Sequence, residues 1–219
     1  WCVAYSRKRS SASNSGKSEV AETRSRHANQ GAQLPSVAVG QWVRYSIDYR
    51  KGQHSELTYR VLSSEGPALW LEVVSGDPNA GTVVQLLTRL GPQRTAESTD
   101  LLGVRLQMPR GLVKQLDAAD LASSRASYLD LLDLLFAFPP AAHSVATRSV
   151  PAGDFDGALG FRRPTRIEGQ TLDATLWQHS AVPITGLVEL ESPEVRVQCL
   201  AFGYAGAQSQ MRARPANQR

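Results

Sequence analysis

Cysteine is scarce: Cys2 and Cys199 are the two in a chain of 219 residues. Two thiols cannot staple a disulfide scaffold, and with four scattered histidines they give no zinc-ligand spacing. No run of 18 apolar residues occurs, so no segment of this sequence is long enough to cross a bilayer as a helix. There is no G-x-S-x-G elbow and no H-E-x-x-H pair. Ser13-Asn14-Ser15-Gly16-Lys17 ends in Gly-Lys but lacks the flanking strand and helix that would make it a phosphate loop. His27, His54, His143 and His179 stand apart from one another and read as solvated side chains; an enzyme would have to bring His143, Asp154 and His179 together in space. Asp154-Phe155-Asp156 could approach a cation, but loop aspartates commonly satisfy turn backbone. No catalytic residue, metal ligand or cofactor is therefore expected, and the expected class is a binding or structural protein.

Charge of one sign is also missing where it would matter. The formal net charge is +4, which at first suggests nucleic acid. Residues 1–36 carry six basic side chains against Glu19 and Glu22, and Arg212, Arg214 and Arg219 lie beyond residue 205. Residues 37–205 hold 15 basic and 18 acidic side chains, a net −3. A nucleic-acid binder clusters its cations on the folded surface, so nucleic acid is not an expected partner.

Apolar residues are nearly absent from Ser6 to Gln33, where Val20 is the one aliphatic side chain larger than alanine. Such a segment buries too little surface to offset its ordering entropy, and residues 1–36 are expected to form a disordered basic tether. Trp1-Cys2-Val3-Ala4-Tyr5 precedes Arg7-Lys8-Arg9. It reads as the trailing edge of a removed upstream anchor, as a signal remnant with Cys2 as a lipidation site, or as a mere truncation edge. Trp1 is not the small residue that a lipidated cysteine requires before it. Residues 206–219 lack periodicity and are expected to form a flexible tail.

What remains has strand-like alternation. Val43, Tyr45, Ile47 and Tyr49 alternate with polar residues, as do Leu57, Tyr59 and Val61. Ala68–Val74 and Thr82–Leu90 follow after turns at Gly66-Pro67 and Gly76–Gly81, which predicts an antiparallel meander. Further strands are predicted over Ser144–Val150, Thr171–Trp177, Gly186–Glu191 and Glu194–Phe202, with Cys199 on the apolar side. Between them, Leu121, Tyr128, Leu131, Leu132 and Leu135 recur at helical spacing over residues 117–138, with Asp117 as N-cap and Pro139-Pro140 as stop. Leu129, Leu134 and Phe136 lie outside that stripe. The extra apolar surface predicts either a helix wedged among sheet and loops or one that lids an apolar cavity. The expected fold is α+β: a curved antiparallel sheet of about seven to nine strands covered by one main helix, over residues 37–205.

Three segments carry a family resemblance. They are Val39-Gly40-Gln41-Trp42-Val43-Arg44-Tyr45, Leu69-Trp70-Leu71-Glu72-Val73, and Trp177-Gln178-His179-Ser180-Ala181-Val182-Pro183-Ile184-Thr185-Gly186-Leu187-Val188-Glu189-Leu190. Together they resemble uncharacterised bacterial envelope proteins, often lipoproteins, which in turn look like the lipoprotein-carrier half-barrels of the LolA/LolB-like fold. The motifs are short and mostly structural. The 20 arginines against four lysines fit a GC-rich bacterial genome. The resemblance implies an antiparallel half-barrel, a periplasmic-side envelope location, and binding of a lipid or acyl chain or of an envelope protein. It supplies no catalytic residue. If the sheet curls round the helix, Trp70, Trp177, Leu134 and Phe136 are expected to approach one apolar volume as ligand-binding residues. The alternative is a structural subunit of an envelope complex with a filled core.

Overall fold

The computed structural model describes residues 34–76, 83–107, 112–136, 142–167 and 170–211. Residues 1–33 of the tether expected over 1–36, Cys2 among them, and residues 212–219 of the expected tail lie outside these. The elements are β1 Trp42–Tyr49, β2 His54–Glu65, β3 Ala68–Ser75, β4 Val83–Arg89, β5 Asp100–Gln107, β6 Val113–Gln115, α1 Ala118–Asp130, a 3-10 turn Asp133–Leu135, β7 Ser144–Val150, β8 Gly153–Ile167, β9 Gln170–Gln178, β10 Leu187–Glu191 and β11 Val195–Gly203. All strand pairs are antiparallel and form one sheet in the order β6-β5-β4-β3-β2-β1-β11-β10-β9-β8-β7. Two meanders thus meet at a seam where the first strand pairs with the last.

This corrects the expected architecture. The described residues hold eleven strands in place of seven to nine, and one 13-residue helix in place of a main covering helix. At 1.5 Å per residue α1 is about 20 Å long, whereas eleven strands about 4.8 Å apart span roughly 48 Å. One short helix covers only part of such a sheet. The strands missed in the sequence are β5, β6 and β8. In β5 the burial alternation is broken, because a bulge between Leu87 and Thr88 of β4 shifts its register. β6 is three residues long. β8 reads as loop because it contains Gly153, Gly157, Gly160 and Pro164. Pro164 lies past the end of β7, where β8 has β9 as its one neighbour, an edge setting in which proline is tolerated.

The helix also ends earlier than its apolar pattern predicts. Asp117 caps it as expected, its carboxylate accepting from the Asp120 N–H at 2.8 Å. Regular helix stops at Asp130, and the chain tightens into the 3-10 turn. The change of pitch moves the buried set to Leu129, Leu132, Leu134 and Leu135, including two residues outside the predicted stripe.

Directly paired residues share a face of the sheet. On one face Tyr45 lies opposite Leu57 and Cys199, Ile47 opposite Val197, Tyr59 opposite Val73, and Leu71 opposite Leu86. These side chains pack with the leucines of the helical segment to form the main core. On the other face Glu72 lies opposite Arg60 and Gln85. Glu72 is fully buried there by residues beyond the last strand: Ser209 Oγ donates to it at 2.6 Å and the Gln210 N–H at 2.9 Å. Ala207 N–H donates to the Gly40 carbonyl at 2.8 Å. At the opposite end, Ser36 accepts from the Ile184 N–H at 3.0 Å.

Candidate functional site

Where α1 and the 3-10 turn cross the sheet, a cavity of about 360 Å³ opens between them. Apart from Ser75 of β3 its floor is apolar: Ile47 of β1, Leu57 and Tyr59 of β2, Val73 of β3 and Val197 of β11. The helical segment contributes Leu131 and Leu134 above, and Ile167 of β8 closes the far wall. β8 and β3 are six places apart in the strand order, about 29 Å in a flat sheet. Both line a single cavity, so the sheet must curl.

Alternation in β1, β2 and β11 places these apolar side chains on one face. Why they do not fill the space follows from the element above. Tyr59 reaches up so that its hydroxyl donates to the Leu131 carbonyl at 2.8 Å. This bond satisfies a carbonyl freed where the helix gives way to the turn. It also props the segment off the sheet. Burial pushes the Tyr59 phenol well above its ordinary value of 10, and the Asp133 carboxylate adds to the shift.

The mouth is polar. Arg166 Nη1 contacts Asp130 Oδ2 at 2.5 Å, and both residues line the cavity. Beside them Asp133 Oδ2 accepts from Arg163 Nη2 at 2.7 Å and from the Arg166 N–H at 3.0 Å. Arg163 further donates to the Asp133 and Phe136 carbonyls and, through Nε, to Thr165 Oγ1. Two arginines of β8 therefore clamp the C-terminal end of the helical segment, where the helix dipole favours cations.

The four residues expected to share one volume do not all meet. Leu134 lines the cavity. Phe136 packs against the core cluster and is not among the lining residues. Trp70 and Trp177 lie on the opposite face, in different halves of the sheet: Trp70 neighbours Leu87 of β4, and Trp177 is paired with Gly160 and Glu189. Each is stacked by an arginine, Arg105 at 4.0 Å from the Trp70 ring and Arg148 at 3.7 Å from the Trp177 ring.

Glycine explains where Trp177 and, in β1, Trp42 sit. A Cβ on Gly160 would fall 2.8 Å from Trp177 Cζ3, and one on Gly203 would fall 2.5 Å from Trp42 Nε1. Each ring lies across a glycine of the neighbouring strand, covering the backbone that glycine bares. Sequence reasoning missed Arg166 and Asp130 because β8 was not predicted as a strand, so nothing brought it next to the end of the helix. Ile47, Tyr59 and Val197 were visible as an apolar face, but nothing in the alternation says whether such a face meets a side chain or a void.

Among the described residues, no cluster of three or more His, Cys, Asp or Glu could hold a metal ion. No hydrogen bond or ion pair joins any two of His143, Asp154 and His179 among them. His179 packs edge-on against Phe155, and its Nδ1 accepts from the Ala181 N–H at 3.1 Å. His54 pairs with Asp48 at 2.7 Å on the surface. Cys199 is buried, and burial pushes its thiol up to about 12.

No protein family matches the chain, and no curated protein does. Among solved structures it is similar to the hypothetical protein CT021 from Chlamydia trachomatis. The TM-score is 0.45 with 11% sequence identity, covering 81% of this chain and 93% of that one.

Proposed function

We propose that this domain binds a hydrophobic ligand, a lipid or acyl chain, in the cavity beneath the helical segment, and that it does so without catalysis in the bacterial cell envelope. The observation that carries the reading is the cavity itself: about 360 Å³, floored by Ile47, Leu57, Val73 and Val197, with its charges confined to the mouth. Pockets of a few hundred cubic ångströms with apolar walls and a few polar groups are the usual form of small-molecule sites. The resemblance at Val39–Tyr45 and Trp177–Val188 supports the envelope setting. Leu131 is half-buried over the opening, so Leu131→Trp occupies the space while leaving the Tyr59 bond to the backbone in place. Calorimetric titration of the wild type with 1-dodecanol is expected to saturate, and Leu131→Trp is expected to abolish the heat. A wild-type protein that shows no saturable binding overturns the reading.

A second reading, contact with a protein partner, is favoured by one observation. Leu102, Leu112 and Val113 are exposed at edge strand β6 and its neighbour β5. Leu112→Glu is then expected to release a protein that co-purifies with the wild type.

A further inference from the structure

We infer that the ligand is a single-chain carboxylate of medium length, its tail in the cavity and its head on Arg166; this rests on the cavity-binding reading above. Arg166 lines the cavity and Arg163 holds the helical segment beside it, and the two differ in what they have left to offer. Arg163 uses Nε, Nη1 and Nη2 on Thr165, Phe136 and Asp133. Arg166 uses only Nη1, on Asp130. Among the described residues its Nε and Nη2 have no hydrogen-bond partner, and its side chain is 46% exposed. Those two nitrogens form one edge of the planar guanidinium fork, the geometry that takes both oxygens of a carboxylate. Asp130 grips the remaining nitrogen and so fixes the direction in which that open edge faces.

The same mouth argues against a cationic head. Asp130 and Asp133 are both already paired with arginines, whereas Arg166 retains donors that need an acceptor. Ser127 at the rim adds a hydroxyl that can donate to an anion.

Volume sets the tail. At about 360 Å³ the cavity lies near the lower end of the range for small-molecule sites, which suits one alkyl chain and not the pair of a diacyl lipid. Affinity should rise roughly fourfold for each added methylene while the tail is still being buried. Once the cavity is filled the tail emerges into solvent and the gain should stop.

The test is calorimetric titration of the full chain with dodecanoate and with 1-dodecanol, each below its aggregation concentration, for the wild type and Arg166→Gln. Dodecanoate is expected to bind at least tenfold more tightly than dodecanol to the wild type. In Arg166→Gln the two should become equal. From octanoate to dodecanoate the affinity should climb, and hexadecanoate should add nothing further. Equal wild-type affinities for acid and alcohol, or an Arg166→Gln variant that keeps the preference, overturn the head-group assignment while the cavity reading stands. Continued gain up to hexadecanoate overturns the length limit. If neither probe binds, the cavity reading itself fails and this inference with it.

Discussion

Cys199 and Tyr59 face the same apolar interior, and both are held protonated by it. Cys199 lies opposite Tyr45, with its thiol raised from an ordinary value of 9 to about 12. Tyr45 is shifted upward as well, chiefly by burial, while its hydroxyl bonds to Thr185 and to the Leu187 carbonyl. A group whose folded value lies above its unfolded value contributes full stability below the unfolded value and loses it as the pH climbs. Stability should therefore decline above about pH 9 as Cys199 begins to ionise in the unfolded chain, and more steeply above about pH 10 when the tyrosines join. Urea midpoints at pH 8, 9, 10 and 11 measure this, and Cys199→Ala should flatten the first part of the fall. The native thiol should resist alkylation, as read by peptide mass mapping with and without denaturant. Gly160→Val is expected to cost about 1–3 kcal/mol by displacing Trp177, detected as a lower urea midpoint.

At the scale of elements, the segment beyond β11 is pinned by a buried charge. Glu72 takes Arg60 at 3.2 Å, Gln85 at 3.0 Å, Ser209 and the Gln210 N–H, so every lone pair it offers is engaged within the protein. Removing one partner of such a set leaves the others unpaired. Glu72→Ala should cost about 3–5 kcal/mol by leaving Arg60 buried without its anion, and hydrogen exchange at Gln210 should accelerate to that of an unprotected amide. How much of this was legible differs from element to element. β1 and β2 alternate with period two and β3 is a short apolar run between turns, so they could be read directly. β8 could not, because it holds three glycines, of which Gly160 makes room for Trp177, and its proline sits where the strand has a single neighbour. The helix was legible at its cap but not at its end, since leucines favour helix and 3-10 turn alike. Leu134 could be picked out as surplus apolar surface. Trp70 and Trp177 could not be placed, because each has an apolar neighbour in its strand and fits either face until register is known.

For the whole molecule, the seam between β1 and β11 makes the ends of the domain neighbours and joins the two meanders. A chain cut after Glu191 removes β11, separates β1 from β10, and should lose its cooperative unfolding transition in circular dichroism. The same seam builds the cavity floor, with Ile47 from the first strand beside Val197 from the last. Curling then carries β8 round to supply Ile167 and Arg166. The hollow is therefore a property of the complete sheet rather than of any one hairpin. Its most direct test is methyl-resolved nuclear Overhauser spectroscopy of the labelled protein with unlabelled 1-dodecanol. Cross-peaks from the alkyl chain to the methyls of Ile47, Val73, Leu134 and Val197 are expected, with none to Val74 or Val83, which sit on the opposite face. Contacts to Val74 and Val83, or no contacts to the first group at saturating dodecanol, would show that the space beneath the helix takes no ligand.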